Sequence, residues 1–156
     1  MTKDDDKPVG IAKAPCKSCP YRKDVPSGIW AEHEYEKLPI YDGTIAEQLL
    51  KGYGGLFLCH QRDGCVCAGW VATHGDNLAA LRFIALGISK DRVDPEVFGY
   101  VSPVPVFASG AEACAHGLRD MDEPSAKARR TVDRLSRKIE QADVEDPQDR
   151  AKRRKS

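Results

Sequence analysis

Pro15-Cys16-Lys17-Ser18-Cys19-Pro20-Tyr21-Arg22 is the stretch around which the rest of the chain is organised. Two cysteines separated by two residues can place both sulfurs on one ion from a single tight turn, and a second pair delivered from elsewhere completes a tetrahedron. Phe57-Leu58-Cys59-His60 and Cys65-Val66-Cys67 are the source of that second pair. The ligand set read from the spacing is Cys16, Cys19, Cys59 and Cys67. Cys65 competes for the last place, because alternation along a strand turns residues 65 and 67 the same way. Cys67 is preferred because it leads straight into Ala68-Gly69-Trp70, where packing can hold it. His60, which adjoins Cys59, and His74 are the reserve nitrogen ligands. Cys114, between Ala113 and Ala115, reads as a small buried hydrophobe.

Zinc is the expected ion, since closed thiolate sites are its usual structural use. An iron–sulfur cluster takes the same four thiolates and is the alternative, although the closely spaced cysteine runs of ferredoxins are absent.

The 156 residues suit one domain with a tail. Hydrophobic residues make up 41% and charged residues 31%, a polar balance that fits a modest core supplemented by a metal site. The zero net charge hides an asymmetry. Residues 125–156 hold 11 Lys/Arg against 6 Asp/Glu, so of the 24 of each sign the first 124 residues keep 13 against 18. An acidic body thus carries a basic end, a distribution suited either to contact with nucleic acid or an acidic protein partner, or to a plain solvated helix. No apolar run approaches membrane-spanning length and Met1–Lys7 lacks a signal-peptide core, so the expected location is cytoplasmic. In that reducing compartment six cysteines point to metal or redox chemistry instead of a disulfide framework.

The expected fold is α+β and mainly α: a small metal-stabilised domain with a short β-hairpin and a C-terminal amphipathic helix. Residues 1–14 read as a flexible lead-in, 15–142 as the domain, and 143–156 as a disordered basic tail ending in Lys152-Arg153-Arg154-Lys155. Ile29 and Trp30 read as core anchors. A short helix over Glu32–Leu38 is stopped by Pro39. Ile45, Leu49 and Leu50 repeat at helical spacing up to Gly52. Phe57–Cys59 and Cys65–Cys67, joined through Asp63-Gly64, form the hairpin-like loop. Asp76 as N-cap and Gly87 as stop bracket a helix with Leu78, Leu81, Ile84 and Ala85 on one face. Asp94-Pro95-Glu96 opens a short helix, Pro103 and Pro105 bracket an extended piece ending at Phe107, and Ser109 caps a helix to Gly117. The last helix runs from near Pro124-Ser125 to about Ala142, its apolar stripe of Ala128, Val132, Leu135 and Ile139 reading as a docking face.

Enzyme signatures fail on order or context. Pro15-Cys16-x-x-Cys19 matches half of the zinc-deaminase signature, but that signature needs H-x-E upstream and no histidine precedes Pro15. A thioredoxin-type C-x-x-C follows a strand and opens a helix, whereas here Pro15 and Pro20 flank the motif. P-loop, H-E-x-x-H and G-x-S-x-G patterns are absent.

With Pro15-Cys16-Lys17-Ser18-Cys19-Pro20-Tyr21-Arg22, Asp24-Val25-Pro26-Ser27-Gly28-Ile29-Trp30, Phe57-Leu58-Cys59-His60-Gln61, Cys67-Ala68-Gly69-Trp70 and Phe107-Ala108-Ser109-Gly110-Ala111-Glu112, the chain resembles an uncharacterised family of small cysteine-containing proteins from actinobacteria and their phages, over about residues 15–135. The resemblance implies a shared set of cysteines at Cys16, Cys19, Cys59 and Cys67, with Cys65 and Cys114 particular to this chain, and implies no established activity. The functional expectation is a non-enzymatic, metal-stabilised regulatory or interaction module whose basic C-terminal segment contacts nucleic acid or a protein partner. The alternatives are an iron–sulfur or thiol redox protein, and a metal-dependent enzyme using His60 or His74 at an open position.

Overall fold

A computed structural model of the chain describes residues 7–137. The molecule is mainly helical, with one small two-stranded sheet. In chain order the elements are β1 (Gly10–Ile11), α1 (Glu32–Glu36), α2 (Ile45–Leu50), β2 (Cys65–Val66), α3 (Ala68–His74), α4 (Ala79–Ala85), α5 (Gly110–Leu118) and α6 (Ala126–Ser136), with 3-10 turns over Leu38–Asp42, Gly75–Asn77 and Pro95–Val97.

The sheet differs from the expected hairpin. β1 and β2 pair in parallel, Gly10 beside Cys65 and Ile11 beside Val66. The two cysteine arms meet only at a single antiparallel bridge, Leu58 with Val66, closed by Cys59 N–H to Cys65 O at 2.9 Å and Cys67 N–H to Phe57 O at 2.8 Å. The hairpin stops there because the chain leaves the strand at Cys67, which serves as N-cap residue of α3. Residues ahead of Pro15, expected as a flexible lead-in, therefore supply the first strand, and Val9 is tied to Arg92 and Asp94 by backbone bonds of 2.8 and 2.9 Å. The proposed tail at 143–156, residues 1–6, and the far end of the last helix with Ile139 all lie outside the described residues.

The core holds Tyr21, Ile29, Trp30, Tyr35, Leu38, Trp70, Val71 and Leu78, with Ala128, Val132 and Leu135 of α6 buried in the same cluster. The stripe on α6 is thus a docking face spent on its own domain. Ser109 and Ser125 cap their helices as expected, each hydroxyl accepting the N–H three residues on, Glu112 and Ala128, at 3.1 Å. α5 packs against the 3-10 turn and α1 through its glycines. A Cβ at Gly110 would lie 2.0 Å from Leu38 O, and one at Gly117 2.1 Å from the Tyr35 ring, so only glycine permits this approach.

Gln48 decides two features here, the buried side of α2 and the start of α4. Ile45, Leu49 and Leu50 do repeat along a helix, α2, but they are not its buried side: Leu50 is 88% exposed, whereas Gln48 is 1% exposed. Gln48 is buried because it serves the backbone: its Nε2 donates to Gly43 O (3.0 Å) and Asn77 O (2.6 Å), and its Oε1 accepts from Ala79 N (3.1 Å). That last bond satisfies an orphan N–H at the start of α4, the role expected of Asp76, which sits in the preceding 3-10 turn. Six residues of helix are too few to bury an apolar stripe, so a single polar anchor decides which side turns inward.

Candidate metal centre

The knuckle is a tight turn closed by Cys19 N–H to Cys16 O at 3.0 Å. Its ends are clamped by Arg22, whose Nη1 donates to Pro15 O at 2.9 Å while its Nε and Nη2 grip Asp24 at 2.8 and 2.7 Å. Phe107 N–H to Tyr21 O (2.9 Å) and Lys23 N–H to Pro105 O (3.2 Å) then tie the segment leaving the knuckle to the extended Pro105–Phe107 piece. The Pro-x-Pro sequence thus acts as a rail for the knuckle's exit.

The four cysteines come together pairwise. Cys19 Sγ and Cys67 Sγ are 3.8 Å apart and buried, and Cys16 lies near enough to Cys19 and Cys59 to shift their titration. All six cysteines are free thiols. Among the described residues, no group of three or more His, Cys, Asp or Glu side chains is arranged as it stands to hold a metal ion; the sulfurs form a chain, 59 to 16 to 19 to 67, and not a closed shell. A separation of 3.8 Å is nonetheless what geometry requires of two sulfurs each about 2.3 Å from one tetrahedral zinc, since the edge of that tetrahedron is about 3.8 Å. The donor set is all thiol, which suits zinc or an iron–sulfur cluster.

Backbone donors are already aimed at the sulfurs. The Tyr21 N–H near the Cys19 sulfur, and those of Gln61 and Arg62 near that of Cys59, each act to lower the thiol pKa. Such N–H groups stabilise a thiolate far more than a thiol. Against them, the thiols of Cys16, Cys19 and Cys59 are all pushed up in pKa. At Cys16 the bond from Cys19 pushes the pKa up, Cys59 opposes it, and burial adds to the rise. At Cys19 burial dominates, and at Cys59 the bond to Cys16 comes first, then burial. Crowding several thiols in a dry place resists ionisation until a cation takes the protons' place.

Neighbouring groups brace both arms. Ser18, 1% exposed, lies between them: its hydroxyl is 3.8 Å from Cys16 Sγ and accepts a short hydrogen bond from Gln61 Nε2, while its carbonyl accepts from Trp30 Nε1 at 2.8 Å. Gly69 in the first turn of α3 lets that helix lie directly on the knuckle; a Cβ there would meet Cys19 Sγ at 2.5 Å and Tyr21 Cβ at 2.7 Å. The signal for this contact was a small residue two places after Cys67, visible in the sequence but not interpretable without the partner.

Of the reserve ligands, Cys65 sits in β2, partly exposed, near Gly10 and coulombically coupled to Cys59 and Asp94. His60 Nε2 is 3.0 Å from Glu34 Oε2, and its ring lies 4.8 Å from that of Trp30. Glu34 also meets Lys37 Nζ at 2.5 Å and His33 Nε2 at 3.2 Å. Burial alone would raise the Glu34 pKa, but the bonds from His60 and Lys37 outweigh it and hold it at about 2. This carboxylate, which the sequence did not single out, pins the Cys59 loop to α1. His74, its side chain 4% exposed, stands between Tyr21 OH (Nε2, 3.2 Å) and Asp42 (Nδ1, 3.7 Å). Burial lowers its pKa to about 4 despite Asp42, so it is neutral, with the Nδ1 proton toward the carboxylate and Nε2 accepting from the tyrosine. Asp42 in turn accepts from Gly110 N (2.6 Å) and Ala111 N (2.8 Å), so one carboxylate caps α5 and faces His74.

Residues 11–131 match the model of a family of unknown function, DUF6283. The match covers well over half of the chain, and the chain belongs to this family. No curated protein and no solved structure matches it. Among the described residues no helix is long and apolar enough to cross a membrane.

Proposed function

We propose that the protein is a metal-stabilised, non-enzymatic interaction module of the cytoplasm, with a structural zinc ion held by Cys16, Cys19, Cys59 and Cys67 and with its basic C-terminal segment contacting nucleic acid or an acidic protein partner. The observation that carries the metal reading is the meeting of these four cysteines from three separate segments, with the Cys19 and Cys67 sulfurs 3.8 Å apart. When bound, zinc would supply a fixed charge that four thiolates share, and through it a link between the knuckle, the Cys59 loop and α3. The chain's own residues do the remaining work: Ser18, Gln61 and Gly69 set the spacing, and Arg22 and Glu34 hold the two arms in place.

An open catalytic position is not favoured. His60 is turned to Glu34, and His74 is enclosed between Tyr21 and Asp42. The charge of residues 125–156, 11 basic against 6 acidic, supports the partner reading. Two measurements test the proposal. Chelation of the protein as purified should shift the fluorescence of the buried Trp30 and Trp70 and lower Tm; unchanged emission and Tm would refute the structural metal. Affinity for oligonucleotides or acidic peptides should fall when Lys152, Arg153, Arg154 and Lys155 are changed to glutamine in the full chain, and equal affinity would refute the role of the tail.

A further inference from the structure

A second feature lies beside the cysteines and uses neither the metal nor the tail. A cleft of about 800 Å³ opens between the Ile11–Lys17 segment and the loop at Gln61-Arg62, with Cys16 in its lining. Lys13, Lys17, Arg22 and Arg62 line it, opposed by the single carboxylate of Glu96. The first 124 residues hold 13 basic and 18 acidic side chains, so this cleft gathers four of the 13 and only one of the 18. The cleft thus carries net positive charge on a net-negative body, a local field that attracts anions.

The four are not equivalent. Arg22 is fully engaged with Asp24 and Pro15 O, so its charge is spent on the fold. Among the described residues no ion pair joins Lys13, Lys17 or Arg62 to a carboxylate, and all three are exposed. Three unspent cations face one Glu96. The remaining lining is small and aliphatic, including Ile11, Ala12 and Ala14, and contains no aromatic ring. Such a site binds charge and has no surface on which a base can stack.

We infer that this cleft is a binding site for phosphate-bearing ligands, either a free nucleotide or pyrophosphate-like anion or the backbone of a single nucleic-acid strand, recognised without regard to base. Its volume falls in the range of small-ligand sites, about 300–1,000 Å³. The competing explanation is that the cations serve the thiolates, four of which on a divalent ion leave net negative charge beside Cys16.

The test uses the full chain as purified, with pyrophosphate followed by calorimetry and a short fluorescein-labelled oligothymidylate followed by anisotropy. Lys17→Glu/Arg62→Glu should weaken binding more than tenfold, while Lys51→Glu, outside the cleft, stays within twofold of wild type. With Lys152, Arg153, Arg154 and Lys155 changed to glutamine to remove the tail's share, oligothymidylate affinity should fall with salt at a log–log slope of about −2, as expected for three cations on a single strand. Lys17→Gln/Arg62→Gln carries the same prediction with a smaller loss if charge reversal prevents folding. Binding of pyrophosphate but not the oligonucleotide assigns a free-anion ligand, and the reverse assigns a strand. The inference is overturned if neither probe binds, if the double variants bind like wild type, or if their losses are matched by a fall in bound metal, which would assign the cations to the thiolates.

Discussion

The two ends of this molecule are held by different means. In the α5 and α6 half, side-chain caps at Ser109 and Ser125, a glycine seam at Gly110 and Gly117 and a buried apolar stripe hold the elements by ordinary packing. In the cysteine half, the strands are two residues long, the Cys59 and Cys65–Cys67 arms share one antiparallel bridge, and the knuckle meets the Cys59 loop through single side chains such as Ser18 and Gln61. With so few ladder bonds, this is the half that the proposed metal would link, through four cysteines brought from three segments. The difference teaches where stability resides: distributed on the helical side, concentrated on the other.

The comparison can be broken from its strongest side first. Cys16→Ser or Cys19→Ser should cost at least about 3 kcal/mol, about 10 °C in Tm, with loss of bound metal, whereas Cys114→Ser on α5 should cost less than about 1 kcal/mol and leave the metal in place. Equal effects of the two kinds of variant, measured by thermal unfolding with metal content, would erase the distinction. On the helical side, Gly117→Ala should destabilise by about 2 kcal/mol through overpacking, because its methyl meets the Tyr35 ring and that ring's hydroxyl accepts from both Ile29 N and Trp30 N at 3.1 Å. Metal content should not change with it. Gly69→Ala is the converse: the methyl meets Cys19 Sγ, so metal affinity falls along with stability.

The boundary between the halves is pH-sensitive. His74 has a folded pKa of about 4 against 6.5 in the open chain, so the unfolded state binds the proton first on acidification. Its contribution is full above pH 6.5 and is lost progressively down to pH 4, up to about 3 kcal/mol. Glu34, held at about 2, loses its contribution only below about pH 4.5. The difference in unfolding free energy between wild type and His74→Phe should therefore narrow or reverse as pH falls from 6.5 to 4; a constant difference would mean that His74 does not titrate as placed. The smallest effect expected is Ser125→Ala, about 1 kcal/mol from a lost cap on α6, read by denaturant unfolding.

What could be read in advance follows from the range of the interactions. The knuckle, the caps at Ser109 and Ser125, the core anchors Ile29 and Trp30, and the stripe on α6 rest on spacing within a few residues, and these local patterns stand in the structure. The preference for Cys67 over Cys65 rested on the residues that follow it; Cys67 is buried with its sulfur 3.8 Å from that of Cys19. The pieces that were missed are joined over long separations. Gly10 pairs with Cys65, Asp42 caps α5 from 68 residues away, and Gln48 satisfies α4 from 31. No periodicity announces such partners, and in helices as short as α2 one distant hydrogen bond outweighs the apolar pattern.

The central claim is that the cysteine half is closed by a metal ion on Cys16, Cys19, Cys59 and Cys67. Its most direct test is elemental analysis with an absorption spectrum of anaerobically purified full-length protein, set beside Cys67→Ser and Cys65→Ser. The account predicts stoichiometric zinc and no visible absorption in the wild type and in Cys65→Ser, with loss of the metal in Cys67→Ser. Protein that carries no metal, or a Cys67→Ser variant that keeps its full complement, would contradict it.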